Sequence, residues 1–368
     1  MIRTGLPVKA PGNWMTIRES GAKREERMVG GRILVHGGAG AWKEDTAREM
    51  KVVPALNRAV GAGVAAMERG NAVDSVVEAV ASLEESGVFN SGKGAFPNLD
   101  GEIELDAGLM DGSSLRAGGV AAVRSVPHPV RLARVVMERT ENVLVVGSGA
   151  SRLAGDFGLL GDLGPDARCR EEFGPRKREY LEAGDHRWVR ELMDLAGETR
   201  GGDTVGAVAV DSGGGFAAAT STGGLAFKIP GRVGDSPIVG HGFYAMRDAG
   251  AASTSGIGES IVRYGLSMRA VNLMAGGMRA PDAARETVSG LTGLFGPDTA
   301  GIILLDRTGS PGVHFNTGGM AIGFGGAGAE PGAWIVRRTG LEEFRGLLER
   351  LCGKQNKGGV KPGSPKEG

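Results

Sequence analysis

Residues 204–222 constrain the fold more than any other stretch of this chain. Two short apolar runs, Val205 to Val210 and Phe216 to Thr220, flank Asp211-Ser212-Gly213-Gly214-Gly215. Apolar runs on either side of a glycine turn predict a β-hairpin. Thr204 heads the first run and Thr222 follows the second. Pairing of the two strands would bring these hydroxyls together.

The remaining pattern supplies layers to cover such a sheet. Gly31 to Gly37 predicts a strand on Ile33, Leu34 and Val35, with His36-Gly37-Gly38-Ala39-Gly40 as a glycine-rich turn after it. An amphipathic helix is predicted over about Lys51 to Met67, with Pro54 near its start, where proline is tolerated. Another carries Val73, Val76, Val77, Val80 and Leu83 on one stripe. Leu83 to Asp100 reads as a structured loop. Strands are predicted over Glu102 to Leu105, Gly118 to Val123 and Asn142 to Val146, and a helix over Pro129 to Arg139. Beyond the hairpin, a helix is predicted over Glu259 to Met274. Strands follow at Thr299 to Asp306, Gly312 to Asn316, Met320 to Phe324 and Trp334 to Arg337, and Leu341 to Leu351 closes the domain as a helix. With 66 glycines and no G-X-Y period, tight turns and close backbone approaches are expected. Glycine-rich strands alternating with helices argue for an α/β fold of packed layers rather than a bundle.

Composition marks the boundaries. Residues 1–30 read as a disordered leader, with Met28 as an alternative start. Charges crowd residues 167–203, which end Glu198-Thr199-Arg200-Gly201-Gly202-Asp203. That segment reads as an exposed, cleavable linker, or as a solvated surface loop. Residues 352–368 read as a disordered tail. Lys+Arg and Asp+Glu are both 43, so no net field favours nucleic acid or an acidic membrane surface. Only Cys169 and Cys352 are cysteines, which argues against a disulfide framework and for a reducing compartment. No signal-peptide core is seen, and no run approaches the ~20 apolar residues of a membrane helix. A cytoplasmic protein is expected.

The candidate chemistry lies between positions 203 and 258. Threonine holds its hydroxyl proton at neutral pH, so it needs a base to act as a nucleophile. Its own α-amine, with a pKa of roughly 7.7–8.0, can serve once that amine is free. For Thr204 this requires cleavage of the Asp203–Thr204 bond. Taken alone, Thr204 also reads as an ordinary strand residue, and Thr222 as a hydroxyl before a glycine turn. Arg232 and Asp235 stand three apart in Gly231-Arg232-Val233-Gly234-Asp235-Ser236-Pro237. Guanidinium and carboxylate could grip the two charged ends of an amino acid, or pair with each other. Ser255-Gly256-Ile257-Gly258 is predicted to open a helix, offering a hydroxyl and a backbone N–H to an oxyanion, or a plain N-cap.

Six motifs occur together: His36-Gly37-Gly38-Ala39-Gly40, Phe89-Asn90-Ser91-Gly92, Met110-Asp111-Gly112, Asp203-Thr204-Val205-Gly206-Ala207-Val208, Thr220-Ser221-Thr222-Gly223-Gly224 and Gly231 to Pro237. Their order and spacing resemble the plant-type L-asparaginase/isoaspartyl peptidase family of N-terminal nucleophile hydrolases. The resemblance runs from about Ile33 through the folded region, apart from the charged linker. It implies a four-layer αββα sandwich made as a precursor and cut between Asp203 and Thr204. The α subunit would then be 31–203 and the β subunit 204–351, within one domain. It implies a nucleophilic Thr204 polarised by Thr222, and an oxyanion hole of the Ser255 hydroxyl and the Gly256 N–H. Arg232 would hold the substrate α-carboxylate, Asp235 and the Gly258 carbonyl the α-ammonium, and Asn90 would stand beside the nucleophile. The substrates implied are L-asparagine and β-aspartyl dipeptides, with no cofactor for catalysis. The backbone carbonyls of Leu83, Glu84, Ser86, Phe89, Ser91 and Lys93 would bind a structural sodium ion, and two αβ units would form a homodimer. One departure is Ser255, where the family usually has threonine.

Three other readings stay in view. Phe227 to Arg232 is similar to glycosylasparaginase as well, although the His36 to Gly40 motif and the missing secretion signal point away from it. A non-catalytic amino-acid-binding protein on the same fold would keep Arg232 and Asp235 without using Thr204. Val143 to Gly149 resembles a strand entering a nucleotide-binding G-x-G turn, but Arg152 occupies the third glycine position of that fingerprint, so a plain strand-to-helix turn is expected there. The histidines His36, His128, His186, His241 and His314 show no zinc-ligand spacing and read as surface or satisfied structural residues.

Overall fold

The computed structural model describes residues 30–42, 44–163, 174–175, 177, 204–326 and 329–353. The expected leader up to residue 29, most of the charged linker with Asp203, and the tail from 354 lie outside the described residues. The first half contains β1 (Arg32–Gly40), α1 (Thr46–Arg69), α2 (Ala72–Glu85), β2 (Leu105–Asp111), β3 (Ala117–Val123), α3 (Pro129–Arg139), β4 (Leu144–Val146) and α4 (Gly147–Asp156). The second half begins with the hairpin β5 (Val205–Val210) and β6 (Phe216–Thr222), then β7 (Phe243–Met246) and β8 (Gly250–Gly256). It continues with α5 (Gly258–Tyr264), α6 (Leu266–Ala275), α7 (Ala280–Phe295), β9 (Ala300–Asp306), β10 (Pro311–Phe315), β11 (Gly319–Gly326), β12 (Ala329–Arg337) and α8 (Leu341–Gly353).

The predicted hairpin sits in the middle of an eight-stranded sheet, in the order β12-β11-β1-β5-β6-β2-β3-β4. Val205 faces Ser221 and Val210 faces Phe216 across it. Every pairing is antiparallel except β3 with β4. A second, four-stranded sheet has the order β10-β9-β8-β7. Because side chains alternate along a strand, β5 sends Val205, Ala207 and Ala209 towards α1, α2 and α3, while Val208 and Val210 point to the second sheet. The outer face of the smaller sheet carries Ala252, Ile302 and Leu304 against Leu266, Val271 and Val288 of α6 and α7. Helix, sheet, sheet and helix therefore stack in the expected αββα order.

Local chemistry sets the helix ends. Asn71 and Asp74 form a reciprocal capping box at α2, and Pro129 occupies the first turn of α3, where its missing N–H costs nothing. The first predicted helix begins earlier than expected, at Thr46 behind the Asp45 cap, so Pro54 lies inside α1.

Several sequence expectations are corrected. His36-Gly37-Gly38-Ala39-Gly40 is not a turn after the strand; it continues β1, with a register shift between His36 and Ala39. The strand expected over Glu102 to Leu105 starts at Leu105 and runs to Asp111. The single helix over Glu259 to Met274 is two, broken at Gly265, whose φ of 71° is left-handed. Ser255 and Gly256 do not open a helix: they end strand β8, and α5 starts at Gly258. Strands β7 and β8 and helix α7 escaped the sequence pattern. Cys352 and Gly353, expected in the tail, belong to α8. Val143 to Gly149, by contrast, is the expected strand-to-helix turn, β4 into α4.

Candidate active site

The layer between the two sheets changes character along its length. At one end it is apolar, with Leu34, Val208, Phe216, Ala218, Ile303 and Leu305 in one cluster. At the other end the inward positions of the same strands are polar. They are His36 of β1, Thr204 before β5, Thr220 and Thr222 of β6, and Ser253 and Ser255 of β8, all buried. Gly206 shows how tightly the two sheets meet there. A Cβ on it would lie 2.2 Å from the Ser253 hydroxyl and 2.4 Å from His36 Nε2. Ser255 and Thr204 are the next inward positions on these two strands.

The structure brings Thr204 and Thr222 together as the hairpin predicted. Thr204 Oγ1 donates to Thr222 Oγ1 at 3.2 Å, and Thr222 Oγ1 also accepts from the Gly224 N–H at 3.0 Å. Ser255 Oγ accepts from the Ala39 N–H at 3.0 Å. That contact exists because β1 continues through the glycine motif instead of turning away. Two strands thus fix the hydroxyl oxygen, which offsets the rotamer freedom serine gains by lacking threonine's methyl. His36 is fully buried, and burial lowers its pKa to about 3 against an opposing contact with the Thr204 backbone. It is therefore neutral, and Nε2 shares a 2.8 Å hydrogen bond with Ser253 Oγ. The sequence reading gave His36 no role; its place against the strand that Thr204 heads is visible only in the β1–β5 register, where it faces Gly206.

Arg232 and Asp235 do not pair with each other. Arg232 instead meets Glu259 side-on, with Nε to Oε1 at 2.9 Å and Nη2 to Oε2 at 2.8 Å. Asp235 accepts from the Thr254 hydroxyl at 3.0 Å, and burial raises its pKa to about 6. Both charged groups reach the same space. A Cβ on Gly258 would meet Arg232 Nη2 at 2.9 Å and Asp235 Oδ1 at 3.1 Å. A Cβ on Gly234 or Gly224 would approach Arg232 Nη1 at 3.0 and 3.4 Å. Three residues without side chains thus leave a cradle with a guanidinium and a carboxylate at its wall. Asn90 borders it: Nδ2 donates to Gly224 O at 2.6 Å and Oδ1 accepts from Phe96 N at 2.9 Å. Asp203 lies outside the described residues.

A buried charged group behind the cradle was also missed from sequence. Lys228 is 2% exposed and donates to the Glu104 carbonyl at 3.0 Å. Asp106 faces Thr222 in the sheet register. Burial pushes the Lys228 ammonium down and the Asp106 carboxyl up, and their attraction opposes both shifts. Their place beside the site follows from strand register and from the Phe227–Lys228 turn, where Phe227 has φ 55°. No signal of that kind is carried by spacing.

The loop after α2 is tight. Ser86 N donates to Leu83 O, Ser91 N to Phe89 O and Gly94 N to Ser91 O. Cβ atoms on Gly92 and Gly94 would lie 2.5 Å from Glu84 O and 2.2 Å from Phe89 O. Lys93 pairs with Glu85. Among the described residues, no group of three or more His, Cys, Asp or Glu side chains could hold a metal, and no helix is long and apolar enough to cross a membrane.

Comparison with known proteins agrees with this geometry. The profile of the asparaginase family matches residues 29–331. The chain is 46% identical over 298 residues to the plant-type L-asparaginase of Pyrobaculum calidifontis, covering 80% of this chain and 96% of that protein. It is 41% identical over 315 residues to the isoaspartyl peptidase of Salmonella typhimurium, covering 83% and 98%. It is 37% identical over 297 residues to the isoaspartyl peptidase/L-asparaginase of Danio rerio, covering 77% and 89%. With its sandwich fold and its paired threonines inside the matched span, this chain belongs to the asparaginase family.

Proposed function

We propose that this chain is an autocleaving threonine amidohydrolase that releases L-aspartate from β-aspartyl dipeptides and L-asparagine. The observation that carries the reading is the 3.2 Å contact of Thr204 with Thr222, set in the same β6-to-loop segment that leads to the Arg232–Asp235 cradle. Cleavage after Asp203 frees the Thr204 α-amine, dividing the domain into an α part, 31–203, and a β part, 204–351. The amine takes the proton of the Thr204 hydroxyl as the oxygen attacks the substrate's side-chain carbonyl. Ser255 and the Gly256 N–H stabilise the oxyanion. The amine then returns the proton to the departing nitrogen, leaving an ester on Thr204. Water hydrolyses that ester to aspartate and regenerates the hydroxyl.

Arg232 takes the α-carboxylate, and Asp235 with the Gly258 carbonyl takes the α-ammonium. Asn90 stands at the nucleophile, its orientation fixed by Gly224 and Phe96. The reaction needs no cofactor. The carbonyls of Leu83, Glu84, Ser86, Phe89, Ser91 and Lys93 are hard oxygen donors along one stretch, the donor type a hard cation takes. A sodium ion would hold the loop that carries Asn90. A homodimer of αβ units is supported by the apolar edge at β4, where Val143, Leu144, Val146 and Leu160 are exposed. The low cysteine content supports a cytoplasmic setting.

Denaturing gel electrophoresis with intact mass tests the reading. Purified protein gives two fragments, the second beginning at Thr204, and Thr204→Ala gives one chain. An uncut chain that still hydrolyses a β-aspartyl dipeptide would overturn the amine-as-base mechanism.

A further inference from the structure

We propose that Asn316 is a positioning residue that fixes the oxyanion donor, the Gly256 N–H, through the Thr299–Ala300 segment. This deepens the hydrolase reading above, which takes the Gly256 N–H as that donor. Strand register decides where this N–H points. Ile257 N donates to Thr299 O, just before β9, at 2.8 Å, and Gly256 faces Ala300. Backbone donors alternate between the two edges of a strand, so the Gly256 N–H turns away from β9. It leaves β8 on the edge where Thr254 N meets Gly242 O at 2.9 Å. β7 pairs with β8 only from Gly250 to Ser253, so among the described residues no β7 ladder partner reaches Gly256. The donor is thereby presented to a ligand, and the Thr299–Ala300 segment backs it.

One side chain holds that backing in place. A Cβ on Gly256 would lie 2.3 Å from Thr299 O and 2.8 Å from Ala300 Cα, so the end of β8 is pressed against this segment. Thr299 N and Ala300 N both donate to Asn316 Oδ1, at 2.8 and 2.9 Å. Two N–H groups at one end of an amide identify that end as its oxygen. At the other end, Nδ2 donates to Thr299 Oγ1 at 2.7 Å, Thr292 Oγ1 at 2.8 Å and Gly296 O at 3.3 Å. β10 pairs with β9 no further than Phe315 with Gly301. Past that point the Asn316 side chain takes the place of a strand and ties the end of α7 to the start of β9. Thr299 and Ala300 are buried, so their N–H groups need this acceptor. Without it the segment shifts towards other partners, and Gly256 moves with it. Asn316 itself is half-buried at a cleft between α7 and α8, so a shorter side chain admits water there.

Asn316→Leu keeps the bulk and removes both hydrogen-bonding ends. Amide hydrogen exchange, read on the folded protein whether or not it is cut, then shows the Ile257 N–H exchanging about tenfold faster. Unchanged exchange overturns the positioning role. With a β-aspartyl dipeptide, kcat falls about tenfold while KM stays within about twofold. Faster exchange with kcat unchanged, or a rise in KM in place of the fall in kcat, overturns the link to the oxyanion. Asn316→Asp keeps an acceptor for Thr299 N and Ala300 N and holds kcat within about threefold of the unmodified enzyme, which a role in packing alone does not predict. Equal losses in the two variants overturn the role given to the acceptor. Should Asn316→Leu fail to fold, Asn316→Ser decides: its hydroxyl stops short of the two N–H groups, water enters from the cleft, and kcat falls about threefold with faster exchange at Ile257. Unchanged exchange there overturns the proposal as well. An unmodified chain that neither cuts itself nor hydrolyses the dipeptide defeats the hydrolase reading, while exchange at Ile257 still decides whether Asn316 holds the strand.

Discussion

The two ends of the intersheet layer are built from the same strands and the same alternation, yet they do different work. At the apolar end, Leu34, Val208 and Phe216 fill space and stabilise by burial. At the polar end of β1, β5 and β6 stand His36, two positions from Leu34, Thr204, four from Val208, and the Thr220–Thr222 pair, which begins four from Phe216. Each polar side chain there has a partner from another strand or loop, which burial requires. The lesson is that one end holds the sheets at a fixed distance so that the other can place hydroxyls to within a hydrogen bond.

If that division is right, damage at each end has a different signature. The largest effect is expected at the proposed nucleophile. Thr204→Ala lowers kcat/KM on the order of 10⁴-fold or more and abolishes self-cleavage, with little change in thermal midpoint; steady-state kinetics and calorimetric melting check both halves. Phe216→Ala, at the apolar end, shows the reverse. It costs about 3–5 kcal/mol in chemical denaturation, while the folded fraction keeps its kcat. A Phe216→Ala protein that is stable but inactive would break the comparison. Ser255→Ala, which removes the proposed oxyanion donor, is expected to lower kcat about 10²-fold with KM nearly unchanged, whereas Ser255→Thr keeps the activity.

Smaller effects sharpen the boundary. Asp235 must be ionised to hold an α-ammonium, and burial raises its pKa to about 6. Activity in kcat/KM is therefore present above that pH and is lost, by about tenfold per pH unit, as the pH falls through it and the carboxyl gains a proton. Asp235→Asn loses the limb along with most of the affinity. Least affected is Thr220→Val. It removes the 2.6 Å bond to Ser236 O and costs about 1 kcal/mol of stability, with a small rise in KM because that bond steadies the loop carrying Asp235.

Much of this was legible before any coordinates. The hairpin, the α3 helix and the strand-to-helix turn at Gly147 came from apolar runs and glycine punctuation. Thr204, Thr222, Arg232 and Asp235 came from motif order. The glycine-rich strand end was misread, because glycine signals a turn in sequence while here it allows close packing. Gly37 has Phe89 against it so closely that a Cβ would lie 2.3 Å from the ring. Strand β8 was missed because Gly250 to Gly256 is small and hydroxylic, and carries no apolar alternation. Glu259 and Lys228 escaped because a charge at a helix start or after a loop reads as solvated.

The sequence alone therefore determined which segments form the layers and which residue types carry the chemistry. Periodicity and turn chemistry are local properties, and they act within a few residues of each other. The tertiary structure decided which groups meet. The contacts of Arg232 with Glu259, of Ser255 with Ala39 and of His36 with Ser253 span 27, 216 and 217 positions. Distances across such separations follow from strand register and sheet packing, which depend on the whole core at once and leave no mark on spacing along the chain.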